Sequence, residues 1–473
     1  MSLSILQAAR AEPDRDALII RGSVLSFRDM AERVRATCAQ LAAHAAARPD
    51  APVAVIAQPD LHCITMLYAL IELGSTIALL HPRWTEAERE AFCNACGAIR
   101  ANEQPLLAFP VPSLSDARPR DQESILAIVA TSGSTGQPRG ARLSRRAFLA
   151  SAAASATNLG WQDEDRWMLS LPLAHVGGLS VLTRCLLARR AVVVPARVGV
   201  AFDALEAFKA AAERDRATIA SLVPAQLSAL LEGGWNPPRH MRALLVGGGA
   251  SSPLLLAQAL RRSWPILATY GLTEACSQVA IWKYGQPRDP DGDLSDSGLP
   301  LKGIEVRLLD GTLQVRGPTL MSGYTSEGPR TPSDDGWLAS RDAATIDAAG
   351  RLHILGRVDD VILSGGENVH PGEVELALER CPGVSAACVF GIPDARWGQC
   401  VAAAVVLDAE ASVPISTITA ALAKQLAPFK RPRRIATLPE LSLTPAGKLD
   451  RAATRARGLA QLDDQPTGST SEA

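Results

Sequence analysis

The chain is predicted to be an α/β protein: a large N-terminal domain of helix-covered βαβ sheets with a small β-rich subdomain, then a small, mobile α+β domain at the C-terminus. Three observations lead there. Apolar β-branched runs alternate with amphipathic stretches over the first two thirds, the rhythm shortens near Gly303, and a new α+β pattern begins after Gly356.

The runs Val53–Ile56, Thr76–Leu80, Ile125–Ala130, Ala191–Val194, Thr218–Val223 and Ala243–Val246 have the length and composition of buried strands. Between them Leu61–Leu73, Arg145–Leu159, Phe202–Arg214 and Pro253–Arg262 have the apolar spacing of helices. This alternation predicts parallel sheets covered by helices, with ligands at loops beyond the carboxyl ends of the strands. From Gly303, GIEVRLLDGTLQVRGP and GRLHILG read as short strands and turns. Beyond Gly356, strands are expected at Val384–Gly391 and Val401–Leu407 and helices at Pro371–Glu379 and Ile415–Leu426. The expected domains are 1–356 (β-rich part about 300–356) and 357–460, with 101–123 a loop and 461–473 a disordered tail.

A length of 473 residues is too great for one compact core. Lys plus Arg number 48 against 49 for Asp plus Glu, so no global field recruits nucleic acid or an anionic membrane. Positive charge for an anionic ligand must therefore be local. No run of about 18 apolar residues could span a bilayer. The N-terminus lacks a basic segment followed by a long apolar core, so a cytoplasmic location is the default expectation. The nine cysteines are scattered through mostly apolar stretches and read as reduced, packed thiols. Cys93 and Cys96 form the only CxxC, and with no second pair they read as two thiols on a helix.

Residues 125–140, ILAIVATSGSTGQPRG, run from a buried strand into Thr131, Ser132, Gly133, Ser134, Thr135 and Gly136, with Arg139 close behind. Glycines admit positive φ, so successive N–H groups can converge on an anion, and the hydroxyls add donors. No Gly-Lys-Ser/Thr follows, so this is not a Walker loop. Taken alone, the segment fits polyphosphate binding and a solvated surface turn equally well.

Further segments supply the company that decides the matter: LPLAHVGG (171–178), VGGGA (246–250), YGLTEACS (270–277), GWLASRD (336–342), GRVDDVILSGGENVHPGEVE (356–375) and TPAGKLDR (444–451). Together with TSGSTGQPRG they resemble, in order, the motifs of the adenylate-forming superfamily of acyl- and aryl-CoA synthetases, luciferases and peptide-synthetase adenylation domains.

The resemblance implies an ATP-dependent acid–CoA ligase that uses ATP, Mg²⁺ and coenzyme A and works through an acyl-adenylate. The phosphate loop, Thr131 to Gly136 with Arg139, would hold the phosphates. Tyr270, Gly271 and Thr273 would lie along the nucleotide, the Tyr270 ring against the adenine, with Gly248, Gly249 and Ala250 on its other side. Glu274, with Thr131, would hold the metal. Asp342 would accept from the ribose hydroxyls, and Arg357 would contact the ribose and phosphate. Lys448 would be the adenylation catalyst, a point charge where negative charge develops around the α-phosphorus. His175 would stand at the mouth of the acyl pocket, with Ser277 and Gln278 against the acyl group. Rotation of the C-terminal domain about Asp359 would then exchange Lys448 for the SGGENV segment, where Gly366 leaves space for pantetheine. Coenzyme A would be held by Trp397, Phe429, Arg431 and Arg433, with Arg83 from the large domain; a basic solvated loop remains the other reading of that cluster.

Within the superfamily, LPLAHVGGLS and YGLTEACSQVA resemble the o-succinylbenzoate–CoA ligases of menaquinone biosynthesis, whereas GRVDDVILSGGENVHP and RWGQ look as much like benzoate-type ligases. An enzyme that loads a carrier protein is a further alternative, and monomer, homodimer and higher homo-oligomer all stay open. Three residues depart from the family pattern: Arg139 replaces a lysine, Ala174 an aromatic before His175, and Arg341 a glycine before Asp342.

Overall fold

The computed structural model describes residues 2–47, 51–100, 121–131, 139–199, 201–325, 332–394, 397–408, 413–444 and 447–463. Two sheets carry the N-terminal body. In the first, Asp16–Ile20, Ala191–Val194, Arg166–Met168, Ile219–Leu222, Ala243–Val246 and Ile266–Leu272 run parallel side by side. Antiparallel strands finish its edges, Ser23–Ser26 on one side and Ser277–Ile281 with Leu299–Pro300 on the other. In the second, Ile99–Arg100, Val53–Ile56, Ile77–Leu80 and Ile125–Thr131 are parallel, and Arg139–Ser144 is an antiparallel edge.

The parallel strands are buried on both faces, which is why they are continuous apolar runs without alternation. Local chemistry sets the helix starts. Asp60 caps Leu61–Leu73, Ser144 caps Arg145–Leu159, and Thr85 with Glu88 forms a capping box for Glu86–Cys96. Helix Leu61–Leu73 is buried nearly all round. Each of its fully enclosed side chains, such as Ile64, Leu67 and Leu70, contributes roughly 1.5–3 kcal/mol over an exposed one. Cys93 and Cys96 lie on helix Glu86–Cys96, and all nine cysteines are free, every one but Cys96 fully buried.

The β-rich segment is a four-stranded antiparallel sheet in the order Glu305–Leu309, Thr312–Arg316, Leu338–Ile346, Leu352–Arg357. The C-terminal unit pairs Val384–Asp394 with Gly398–Leu407, flanked by Ile362–Ser364, Glu367–Val369 and Arg434–Thr437. Helices Pro371–Glu379 and Ile415–Ala423 cover one face and Arg451–Asp463 the other. The unit docks on the body through helix Pro371–Glu379, and a Cβ on Gly372 would stand 2.4 Å from the Leu355 carbonyl oxygen.

Two expectations need correction. The last helix continues through Gln461 to Asp463 and buries Leu462, whose carbonyl accepts from Arg434, so these residues are not a disordered tail. The helix expected at Ile415–Leu426 ends at Ala423, and Arg139–Ser144, to which no element was assigned, is a strand returning beside Ile125–Thr131. Residues 101–120 of the expected loop lie outside the described residues, and no described helix is long and apolar enough to cross a membrane.

Candidate active site

The cleft lies at the carboxyl ends of the parallel strands, where an open α/β sheet places ligands. Strand Ala243–Val246 ends in Gly248, Gly249 and Ala250, all exposed. Its neighbour Ile266–Leu272 carries Tyr270 and Gly271 and leads into the single turn Thr273–Ala275 that presents Glu274. The returning strand Ser277–Ile281 comes so close that a Cβ on Gly271 would lie 2.0 Å from the Ser277 carbonyl oxygen. Only glycine permits that approach. The chain reverses through Cys276 and Ser277, both at left-handed φ (53° and 95°), a strained backbone of the kind concentrated at functional sites.

Tyr324, which the sequence reading missed, ties the cleft together. Its hydroxyl donates to Glu274 Oε1 at 2.7 Å, its backbone bridges Ala141, and the Arg139 guanidinium lies 6.0 Å over its ring. Met321 N–H donates to the Glu274 carbonyl, and Gly140 N–H to Thr325 Oγ1. Glu274 is thereby fixed beside the hairpin whose paired ends are Thr131 and Arg139. The intervening Ser132, Gly133, Ser134, Thr135 and Gly136 lie outside the described residues. The signal available was the Gly323-Tyr324 pair ahead of a polar stretch, too common to single out.

Asp342 and Arg357 face each other across paired strands, with Arg357 Nε 3.6 Å from Asp342 Oδ1. The Tyr270 hydroxyl donates to the other oxygen of Asp342. Burial raises the Asp342 carboxyl above the usual aspartate range, with Tyr270 and Arg357 opposing; burial and Asp342 together push the Tyr270 phenol well up, so it stays a donor.

Lys448 reaches this cleft from the distant end of the chain. It sits on a tight turn in which Thr444 N–H donates to the Lys448 carbonyl, and its Cε lies 3.8 Å from where a Cβ on Gly248 would stand. The cleft is open, and Lys448 stays exposed to water. Crowding by protein lowers its ammonium from the usual lysine value, Arg357 adds to this, and Glu274 and Asp342 oppose it. One lysine thus lies within the fields of Glu274 and of the Asp342–Arg357 pair and beside the glycine segment.

His175 forms the N-cap position of helix Val176–Ala188, its ring 5.6 Å from that of His81. Burial, Lys448 and His81 bring its imidazole down to about 4, so it is neutral at pH 7. Its Nε2 is buried with no partner among the described residues.

The same helix carries Arg184, which the sequence reading passed over because it lies in a long apolar run. Arg184 is 4 % exposed, stacks 5.5 Å from the Trp167 ring, and reaches Ser151 Oγ at 3.3 Å and Ser277 Oγ at 3.4 Å. Its Nε has no partner and no described carboxylate pairs with it. Burial draws the guanidinium down to about 10, which leaves it charged at pH 7. Ser180, one turn earlier on this helix, and Ser155, one turn beyond Ser151, also bury hydroxyls with no partner. Of the expected acyl contacts, Ser277 therefore meets a cation. Gln278 points the other way and donates to Thr269 Oγ1 at 3.1 Å, as alternation along a strand requires.

The expected coenzyme A residues are more dispersed. Trp397 packs on Gly365 with the Arg433 guanidinium 4.7 Å over its ring, and Gly366 sits at φ 84° in open space. Phe429 lies beside Lys430. Arg431 donates to the carbonyls of Leu426 and Ala423, closing the end of helix Ile415–Ala423. Arg83 is on the other body, next to Gly199.

A glycine-lined cleft under a small lysine-bearing unit defines a class, and sequence comparison names it: the AMP-binding enzyme family matches residues 5–101 and 99–325, and its C-terminal domain matches 373–448. The chain belongs to this family. Among its relatives, the 2-succinylbenzoate–CoA ligase of Bacillus pumilus is 31% identical over 490 residues, covering 97% of this chain and 98% of that one. The o-succinylbenzoate CoA synthetase of Bacillus subtilis, solved with its acyl-adenylate intermediate, superposes with a TM-score of 0.81 at 27% identity, covering 99% of each chain. The amide bond synthetase McbA of Marinactinospora thermotolerans superposes at 0.84 with 25% identity, covering 96% of this chain and 99% of that one.

Proposed function

We propose that this enzyme is an ATP-dependent acid–CoA ligase whose acid is o-succinylbenzoate: it forms the acyl-adenylate with release of pyrophosphate, then transfers the acyl group to coenzyme A. Arg184 carries the choice of acid. An unpaired guanidinium in the core costs several kcal/mol in lost hydration, and a protein keeps one where a ligand completes the pair. An acid with a second carboxylate, remote from the one that reacts, supplies that partner. The Bacillus pumilus relative and the Bacillus subtilis structure, both named for succinylbenzoate, support the same acid.

In the first half-reaction the substrate carboxylate attacks the α-phosphorus. Lys448, as a cation beside Gly248, stabilises the charge building there, and Arg139 attracts the departing pyrophosphate. The Tyr270 ring and the 248–250 backbone enclose the base, while Asp342 exchanges its bond to Tyr270 for the ribose hydroxyls. Neutral His175 adds no cation at the pocket mouth to compete with Lys448. Glu274, with an oxygen beyond its bond to Tyr324, and the Thr131 hydroxyl form an all-oxygen set that suits magnesium, which keeps few protein ligands and takes the rest from phosphates. Bound there, the ion would neutralise phosphate charge against the incoming carboxylate. In the second half-reaction the C-terminal unit swings about Asp359 and brings Gly366, Trp397 and Arg433 to coenzyme A. Both nucleotides are cytoplasmic metabolites, and the cytoplasm is the proposed location.

The test is pyrophosphate release and thioester formation with a panel of acids. Saturable turnover of o-succinylbenzoate is expected, and Arg184→Met should lower its kcat/KM by at least about 30-fold, from roughly 2–5 kcal/mol for a buried charge pair. Faster turnover of benzoates than of o-succinylbenzoate would replace this reading by the benzoate-type one.

A further inference from the structure

The turn that joins the four-stranded sheet to the C-terminal unit, Val358–Asp360, carries two adjacent carboxylates held from opposite sides. Arg341, on strand Leu338–Ile346, places Nη1 3.0 Å from Asp359 Oδ2. Arg451, on helix Arg451–Asp463, places Nε 3.4 Å from Asp360 Oδ2. Each arginine is anchored in its own body. Leu338–Ile346 is an inner strand, paired on both edges. The Arg451 guanidinium is gripped by both oxygens of Glu375 and donates to the Val389 carbonyl, all within the C-terminal unit.

One acid of the turn is therefore tied to the body and the next to the unit. Rotation about the Cα–C bond of Asp359 and the N–Cα bond of Asp360 carries the unit round and leaves both pairs intact. Rotation anywhere upstream breaks the Arg341 pair, and rotation anywhere downstream breaks the Arg451 pair. Arg341 is also the residue that stands where the resembled family has glycine, which has no side chain to make this contact.

We propose that Arg341 is a positioning residue for the domain rotation: acting through Asp359, it confines the swing to the Asp359–Asp360 peptide. This deepens the ligase reading and rests on it, since the rotation serves the two half-reactions. In this role Arg341 acts on Asp359 and not on the substrate. Its effect is to narrow the set of arrangements from which Lys448, and later Gly366, must find the nucleotide.

The test measures acid-dependent ATP/pyrophosphate exchange and thioester formation from supplied acyl-adenylate, separately, in Arg341→Gln, Asp359→Asn, the double variant and Arg341→Lys. A partly exposed pair of this kind is worth about a two- to fivefold effect. Expected are equal losses of that size in both half-reactions, an unchanged KM for ATP, a double variant no worse than either single one, and recovery in Arg341→Lys. Tryptic cleavage after Arg357 in the native enzyme should rise by a similar factor in Arg341→Gln. A raised KM for ATP with loss confined to adenylation would assign Arg341 to the Asp342 side of the site and overturn the proposal, as would additive losses in the double variant. If the wild-type chain shows no acid-dependent exchange, the ligase reading fails, and the cleavage comparison still decides whether Arg341 anchors the turn.

Discussion

Arg184 and Lys448 are cations that two regions of the molecule hold in opposite ways. Arg184 lies in the N-terminal body, enclosed by Trp167, Ser151 and Ser277 on a helix with no room to move. Lys448 is exposed yet crowded by the cleft wall, at the tip of a turn on a unit joined to the body through partly exposed ion pairs. Recognition of a fixed group on the acid suits a rigid, dehydrated charge, because an ion pair strengthens as water is excluded. Catalysis of one step out of two suits a charge that can leave, and a charge that leaves must not need extensive dehydration to arrive.

The largest expected effect separates these roles. Lys448→Ala should slow adenylation by about 10²- to 10³-fold, the usual cost of one group that stabilises developing charge. Thioester formation from supplied acyl-adenylate should change by no more than a few fold, as read in rapid-quench experiments. Equal losses in both steps would erase the contrast between the two cations.

Arg184→Met tests the other side. Beyond its effect on o-succinylbenzoate, it should leave the thermal midpoint unchanged or higher, because replacing a buried unpaired charge by an apolar side chain of similar volume removes a desolvation penalty. A large fall in the midpoint would make Arg184 a structural residue.

The smallest effect concerns the docking helix. Burial, with Glu375 nearby, pushes the Glu379 carboxyl up to about 7. The folded value lies above the unfolded one, so the stability this group contributes is fully present below about pH 4.5 and is lost as pH rises through about 7. Glu379→Gln should therefore stabilise the protein by about 1–2 kcal/mol at pH 8 and change little at pH 4.5, measured by denaturant unfolding. A pH-independent difference would mean that the carboxyl stays ionised.

Much of the fold was legible because burial and helix geometry write themselves into short windows. Strands Val53–Ile56, Ala191–Val194 and Ala243–Val246 and helices Leu61–Leu73, Arg145–Leu159 and Pro371–Glu379 agree to the residue. Arg139–Ser144, with one large apolar residue and two arginines, carried no such signal, because its strand character comes from pairing with Ile125–Thr131. The candidate site divides the same way. Glu274, Asp342 and Lys448 were named through ordered motifs, each a local string. Tyr324 was missed because its value lies in touching Glu274 and Arg139 at once, and Arg184 because an arginine in an apolar helix does not announce that its carboxylate is missing.

The sequence by itself determined the family, the order of strands and helices, and the polar groups proposed for phosphate, ribose and metal. Tertiary structure alone decided that Lys448 meets Gly248, that Ser277 faces a cation while Gln278 turns away, and that Asp359 and Asp360 answer to different bodies. The reason is range: propensity and periodicity act over a few residues, whereas charge compensation and close approach join groups tens to hundreds of residues apart and exist only once the chain has packed.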